Sequence, residues 1–300
     1  MSDTTELKIA LIGGSGLADA LPAQDVETHD VDTPFGRPSA PVLETTINGV
    51  PVLLLKRHGE GHVFNPTQVP YRANVFALKQ LGATHVLASG AVGSLRDEYR
   101  PRDLVLVDST IDRTKHRAGT FFEKAAVHVE FADPFCPVLR KLLREAASEI
   151  GGGHKVHDRG TYVCMEGPAF STRAESHEHR LIGGGVIGMT LLPEAKLARE
   201  AELPYAAVCL VTDYDCWKPR PEGETDPFAL LNEIIGHLSA ASENAMKLLR
   251  TAVASAAGCR DELANCPASK ALQLGIWSKK DAIDPAEVER LRPFWGRYFE

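Results

Sequence analysis

The 300-residue sequence is short of several things, and each shortage removes a class of protein. No apolar run approaches the ~20 residues that span a bilayer, so no membrane-crossing helix is expected. Positive charge is not in surplus: the net charge is −7, which argues against a nucleic-acid surface built on clustered Lys and Arg. The six cysteines (136, 164, 209, 216, 259 and 266) include no Cys-x-x-Cys pair. The start, Met1-Ser-Asp-Thr-Thr-Glu6, is polar and acidic and carries no signal-peptide pattern. Reduced thiols in a cytoplasmic protein are therefore expected, with a Cys259–Cys266 bond as a weakly supported option. There is no internal repeat, no low-complexity tract and no linker-like stretch within the first 255 residues.

Known chemical signatures are missing too. Gly14-x-Gly16 is followed by Asp19 where a dinucleotide fingerprint needs a third glycine, and no Gly-Lys-Ser/Thr string marks a P-loop. No Gly-x-Ser-x-Gly elbow points to a hydrolase nucleophile. His58-x-x-x-His62 has a metal-like spacing, but Gly59 and Gly61 oppose the helix that usually presents it, so no metal is expected.

What is present is an alternation of apolar runs and helical spacings. Runs at 8–12, 50–55, 84–89, 103–108, 160–165, 186–189 and 205–212 read as strands. Segments 68–81, 137–150, 172–182, 192–201 and about 227–256 read as helices, with Gly82 and Gly151 as stops. The class is α/β with a mixed sheet, one domain over 1–257. Residues 258–300 show little regular pattern but hold Leu272, Leu274, Ile276, Trp277, Leu291, Phe294, Trp295, Tyr298 and Phe299. A disordered tail would be poor in such residues, so this extension is expected to pack on the body or on a neighbouring subunit.

The strand ends carry the polar residues, where open α/β sheets place their ligands. Gly13-Gly-Ser-Gly16 offers backbone N–H groups to an oxyanion, with a plain tight turn as the alternative. Arg57-His58 adds a forked donor and a second nitrogen. Ser89-Gly-Ala-Val-Gly-Ser94 reads as a third small-residue turn, and Met189-Thr190 offers a hydroxyl and a flat-ring contact. Asp213-Tyr-Asp215 closes the last strand. Acids at i and i+2 of a strand share a side and form a paired acceptor/donor clamp suited to an aminopurine; the alternative is a solvated turn with two surface acids.

These segments together resemble a known family. Ile9-Ala-Leu-Ile-Gly-Gly-Ser-Gly-Leu17, Val31-Asp-Thr-Pro-Phe-Gly-Arg-Pro-Ser39, Arg57-His58-Gly59, Asp112-Arg113-Thr114, Pro134-Phe-Cys-Pro137, Glu166-Gly-Pro-Ala-Phe-Ser-Thr-Arg-Ala-Glu-Ser176, Met189-Thr190 and Thr212-Asp-Tyr-Asp-Cys-Trp217 are similar to the S-methyl-5′-thioadenosine phosphorylases, among the trimeric purine nucleoside phosphorylases. The resemblance runs collinearly from about residue 8 to 250. It implies a nucleoside phosphorylase-like fold with a partly barrel-like mixed sheet flanked by helices. It implies phosphorolysis of methylthioadenosine by a homotrimer, with phosphate as co-substrate and no cofactor.

By position, the resemblance assigns Ser15, Arg57, His58, Gly90, Ala91 and Thr190 to phosphate and Met189 to the sugar. Asp213 and Asp215 go to N7 and N6 of adenine, with Asp213 as the acid, and Phe170 and Ser171 line the base. His128 would reach a neighbour's 5′ pocket, and Leu231, Ile234 and Ile235 would make that pocket apolar. Three positions depart from the family pattern: Ser89-Gly90 where two threonines are usual, Gly188 where Asn is common, and Ala169 where Arg is usual. The competing expectations are phosphorolysis of methylthioinosine or purine nucleosides generally, nucleoside hydrolysis, and a catalytically idle binding protein.

Overall fold

The computed structural model describes residues 6–14, 26–150, 154–219, 226 and 228–300. Strand β1 (Ile9–Gly13), β2 (Glu27–His29), β3 (Val42–Ile47) and β4 (Val50–Lys56) precede helix α1 (Tyr71–Gln80) and β5 (His85–Ser94). Then come β6 (Leu104–Leu106), β7 (Ser109–Arg113), α2 (Pro137–Ala146), β8 (Val156–His157), β9 (Thr161–Met165) and α3 (Arg173–Leu181). The core closes with β10 (Val186–Gly188), α4 (Leu191–Glu200), β11 (Tyr205–Asp213) and the 28-residue α5 (Ala229–Ala256). Three short helices finish the chain: α6 (Arg260–Ala264), α7 (Pro285–Arg290) and α8 (Arg292–Trp295).

The 11 strands form one mixed sheet in a single α/β domain. Its main path is β2-β3-β4-β1-β5-β10-β9-β7, and it branches at β5. The first half of β5 lies between β1 and β11, parallel to both. Its end turns to pair antiparallel with β10, at Val186↔Ser94 and Ile187↔Gly93. Side chains alternate across these strands. The alternate faces feed two apolar layers, one containing Ile12, Leu55, Val86 and Tyr205, the other Leu11, Leu54, Leu87 and Val208. Helices α2 and α5 cover the second layer, which explains why β11 is buried at all nine positions and reads as a continuous apolar run.

Several expectations need correction. Ser89–Ser94 is strand, not turn, because its backbone is paired with β11 as far as Gly93 and then with β10. The helix expected over 68–81 starts at Tyr71, because Gln68 and Val69 donate to the Asn65 carbonyl in a preceding turn. Strands β2, β3, β7 and β8 went unread, being short and half exposed, with Thr, Glu and Asp in place of an apolar run. All six cysteines are free, and the thiol facing Cys266 is that of buried Cys136, with the sulfurs 3.1 Å apart, rather than Cys259.

The C-terminal segment is more ordered than its sequence suggests. Its helices span four to six residues, too short to show a period. Leu272, Leu291, Phe294 and Trp295 enter the first apolar layer, with Phe294 between Phe76 and Phe121 and Trp295 against Phe122. Leu274 and Trp277 stay exposed. No helix among the described residues is long and apolar enough to cross a membrane.

Candidate active site

Parallel strands β4, β1, β5 and β11 deliver their C-terminal ends to one edge of the sheet. Arg57 follows β4 and is fully buried. Its Nε and Nη2 donate to the two carboxylate oxygens of Glu194 at 2.7 and 2.8 Å, and Nη1 donates to the Ser89 carbonyl at 2.8 Å. Burial alone would disfavour the charged guanidinium, but the Glu194 carboxylate more than offsets this and raises its pKa. Glu194 also accepts from the Tyr205 hydroxyl at 2.8 Å. A Cβ on Gly14 would lie 3.6 Å from Nη1, so β1 and β4 end side by side.

His58 is held at Nδ1 by the Phe64 carbonyl at 2.8 Å and stacks on His62, centroids 4.1 Å apart. Burial first, then Arg57 and His62, bring its pKa down to about 4, so the ring is neutral at pH 7. The two stacked rings do not converge on one point as ligands would. Among the described residues no cluster of three His, Cys, Asp or Glu is placed to hold a metal ion.

Strand β5 links the Arg57–Glu194 corner to the diacid. It is uncovered at Gly90, Ala91 and Gly93, although Val92 is buried. A Cβ on Gly90 would stand 3.5 Å from the Thr190 hydroxyl, whereas one on Gly93 would lie 3.0 Å from Asp213 Oδ1 and 3.2 Å from the Asp215 Cβ. Gly93 is thus needed so that the diacid can approach the strand. At ~3.3 Å per residue the two points are about 10 Å apart along one strand.

Asp213 ends β11 and is buried. The Thr212 hydroxyl donates to its Oδ2 at 2.7 Å, and the Asp215 N–H donates to Oδ1 at 2.6 Å. Burial pushes its pKa up to about 6, against the Thr212 and Asp215 hydrogen bonds; the Asp215 and Glu233 charges add to the rise. The expected route to the pairing was wrong in one respect. Asp215 lies beyond the strand in a turn, with φ of 51°, so the two acids meet through that turn and not through the pleat. Asp tolerates this left-handed conformation better than most residues.

Met189 and Thr190 follow β10. Thr190 is buried and its N–H donates to the Tyr162 hydroxyl at 3.2 Å. Arg117, which sequence reasoning missed, donates to the Met189, Leu192 and Glu166 carbonyls and pairs with Glu166 at 3.2 Å. Glu166 is held down at about 2 despite desolvation, by Thr67 and the Lys115 and His116 N–H groups. Glu194 was also missed, although an acid inside Leu191-Leu-Pro-Glu-Ala195 signals a buried partner.

The remaining sequence candidates lie around this edge or away from it. Ser171 is half-buried; its hydroxyl faces the Met165 sulfur and its carbonyl accepts from the Cys216 thiol, while Phe170 is exposed. Leu231 and Ile235 on α5 are exposed and Ile234 is intermediate. His128 sits with the C-terminal segment: its N–H donates to the Gly275 carbonyl and its ring meets the Trp277 edge at 4.6 Å. Ser15 lies outside the described residues.

The sheet brings the Arg57–Glu194 corner and the diacid to one edge, and residues 8–254 match the sequence model of the Phosphorylase superfamily. The S-methyl-5′-thioadenosine phosphorylase of Koribacter versatilis is 44% identical over 295 residues, covering 98% of this chain and 97% of that protein. That of Geobacter sulfurreducens is 45% identical, covering 98% and 99%. A methylthioadenosine phosphorylase from an Antarctic soil metagenomic library superposes with a TM-score of 0.84 at 40% identity, covering 97% of this chain and 99% of that one. The Schistosoma mansoni methylthioadenosine phosphorylase in complex with adenine gives 0.83 at 34% identity, covering 91% and 99%. The chain belongs to the phosphorylase superfamily and, within it, to the S-methyl-5′-thioadenosine phosphorylases.

Proposed function

We propose that this pentosyltransferase converts S-methyl-5′-thioadenosine and phosphate to adenine and 5-methylthioribose 1-phosphate. The observation that carries the reading is the pairing, on one strand, of the Gly90–Thr190 corner with the buried diacid about 10 Å away. Adenine departs poorly as an anion. Protonation at N7 removes that penalty, and a carboxyl whose burial lifts it to about 6 retains enough of its proton to act. As the C1′–N9 bond breaks, its electron pair goes to the purine, Asp213 gives its proton to N7, and a phosphate oxygen bonds to C1′ from the other face. Phosphate both stabilises and captures the cation-like sugar.

In this reading Arg57, His58, Ser15, Gly90, Ala91 and Thr190 surround phosphate, Met189 underlies the sugar, and Phe170 and Ser171 border the base. Arg57 already gives Nε and Nη2 to Glu194 and Nη1 to the Ser89 carbonyl, so it can offer phosphate only the second N–H of each Nη. Asp215 accepts from the 6-amino group. A 6-oxo purine would set one acceptor against another, which disfavours methylthioinosine. The chemistry as proposed calls for no metal or cofactor.

The assembly is proposed to be a homotrimer in the cytoplasm, with His128 and its neighbour Trp277 meeting a second subunit near Leu231, Ile234 and Ile235. The exposure of Leu231, Ile235, Leu274 and Trp277 in the single chain supports a partner surface. Product analysis of methylthioadenosine with and without phosphate tests the reaction. Adenine release should require phosphate, and inosine should be a poor substrate; equal release in phosphate-free buffer would make the chain a hydrolase.

A further inference from the structure

Helix α3 is amphipathic the wrong way round. Its only buried residues are Ser176 and His179, while Leu181 is 86% exposed and Ala174 lies in solvent. A surface helix ordinarily buries its apolar stripe. Here Arg173, Ser176, His179 and Arg180 recur at helical spacing and all turn toward the diacid turn. Arg173 donates to the Cys216 carbonyl at 3.1 Å, and the Arg180 guanidinium stacks 3.6 Å over Trp217. A complete capping box between Thr172 and Glu175 fixes where the helix starts, and Arg113 pairs with Glu178 on its outer side at 2.6 Å.

Three buried polar atoms stand at the centre of this contact. Ser176 Oγ, His179 Nδ1 and Asp215 Oδ2 have no hydrogen-bond partner among the described residues. Leaving such atoms unpaired costs about 1–3 kcal/mol each, so a helix that places two of them beside a carboxylate oxygen needs a reason. Their electrostatic effect supplies one. Burial raises the Asp215 pKa, and Ser176 and His179 are the first two groups that oppose the rise, followed by the Cys216 N–H and Ser171. The other charged group against Asp215 is Asp213, whose carboxylate accepts the Asp215 N–H.

We propose that Ser176 and His179 are positioning residues, set beside Asp215 to engage its free Oδ2 when a base is bound, which keep that carboxyl an acceptor and thereby select 6-amino over 6-oxo bases. A carboxylate can only accept, which suits an exocyclic amine and repels a ring carbonyl. Once released from α3, the same carboxyl can rotate, take up a proton and donate to a 6-oxo group. The proposal rests on the assignment of Asp215 to the exocyclic amine made above.

The test compares methylthioadenosine with methylthioinosine on Ser176→Ala, His179→Phe and His179→Asn, recording kcat/KM for both nucleosides and the phosphate KM. The ratio of kcat/KM for the amino to the oxo substrate should fall at least tenfold in Ser176→Ala and His179→Phe. His179→Asn keeps a polar atom near the Nδ1 position and should recover part of the ratio. Equal losses on both nucleosides, or an unchanged ratio, would overturn the proposal by reducing α3 to a scaffold. If His179→Phe does not fold, Ser176→Ala decides alone, since it removes one oxygen and leaves the capping box intact. A wild-type protein that releases no adenine from methylthioadenosine would sink the proposed reaction instead. A wild type that is active and discriminating, with discriminating variants, sinks only this inference.

Discussion

The Cβ that any other residue would carry at Gly188 falls 2.1 Å from the Tyr162 hydroxyl and 2.7 Å from its Cζ. Tyr162 lies on β9, directly beside β10, and is fully buried. Its phenol fills the space that the Asn common in the family would need at 188, and it holds the Thr190 N–H at 3.2 Å. The glycine at 188 and the tyrosine at 162 are therefore coupled by packing. Gly188→Asn should destabilise the protein by about 3 kcal/mol through overpacking. Adding Tyr162→Val should recover part of that loss, so the double variant lies above the sum of the singles. Urea midpoints measure this, and strictly additive losses would dissolve the coupling.

Glu194 is the partner on which Arg57 depends. Both side chains are essentially unexposed, and the pair is bidentate. Removing one member leaves an uncompensated buried charge, at a cost of about 3–5 kcal/mol. Glu194→Ala should lose that much stability, and any folded fraction should show a higher phosphate KM with the nucleoside KM less affected. A variant of wild-type stability would mean that Arg57 finds another acceptor.

How much of this was legible beforehand divides along physical lines. β1, β4, β5 and β11 are buried on both faces, and their apolar runs announce them. The polar residues at their ends stood out by contrast, which is why Arg57, Thr190 and Asp213 were picked as candidates. Glu194, Arg117, Ser176 and His179 also carry buried polar side chains, but the residues they face lie 137, 72, 39 and 36 positions away, at Arg57, Met189 and Asp215. Spacing along a chain carries no record of such contacts. The turn geometry of Asp215 was hidden for a different reason: a residue outside the ladder does not follow the strand's period.

At Gly90 the strand leaves room that a hydroxyl can use. The nearest atom to a Cβ there is the Thr190 hydroxyl at 3.5 Å, an ordinary contact. Gly90→Thr should thus fit and add a donor beside Thr190. One recovered hydrogen bond is worth roughly 0.5–1.5 kcal/mol, so the phosphate KM should fall about two- to tenfold. Steady-state kinetics in phosphate decide this, and an unchanged constant would mean that the position is already served by another group.

Asp213 ties function to a stability cost. Its folded pKa of about 6 exceeds its ordinary value of 3.8, chiefly through burial. A raised carboxyl contributes stability that is fully present below the unfolded value and is lost as pH rises through the folded one. At pH 7 the ionised, buried group is therefore a liability, and Asp213→Asn should raise the Tm there while changing it little near pH 4. The wild type should lose kcat/KM as pH rises above about 6, and the same substitution should lower kcat/KM by about 10²–10⁴-fold and abolish that fall. A near-wild-type rate for Asp213→Asn would remove the proposed acid.

The C-terminal segment contains two tryptophans with opposite surroundings, and they separate its roles. Trp295 is fully buried, donates through Nε1 to the Val288 carbonyl at 3.1 Å and packs on Phe122. Its neighbours Arg297 and Tyr298 both bind Glu202, at 2.5 and 2.7 Å. Trp295→Ala should cost about 3–5 kcal/mol, the range for deleting a large core aromatic. Deletion from Cys259 onward removes Leu272, Leu291 and Phe294 as well and should prevent folding, not merely loosen an assembly. Trp277 is 70% exposed and touches His128 edge-on at 4.6 Å. Trp277→Ala should leave the Tm of the isolated fold nearly unchanged. If His128 and Trp277 meet a neighbour's 5′ pocket, that variant should raise the KM for methylthioadenosine more than for adenosine, because the methylthio group loses an apolar wall that a hydroxyl does not need. An equal KM for both substrates, together with an unaltered mass in solution, would leave Trp277 as a brace for the His128 loop and place the 5′ pocket elsewhere.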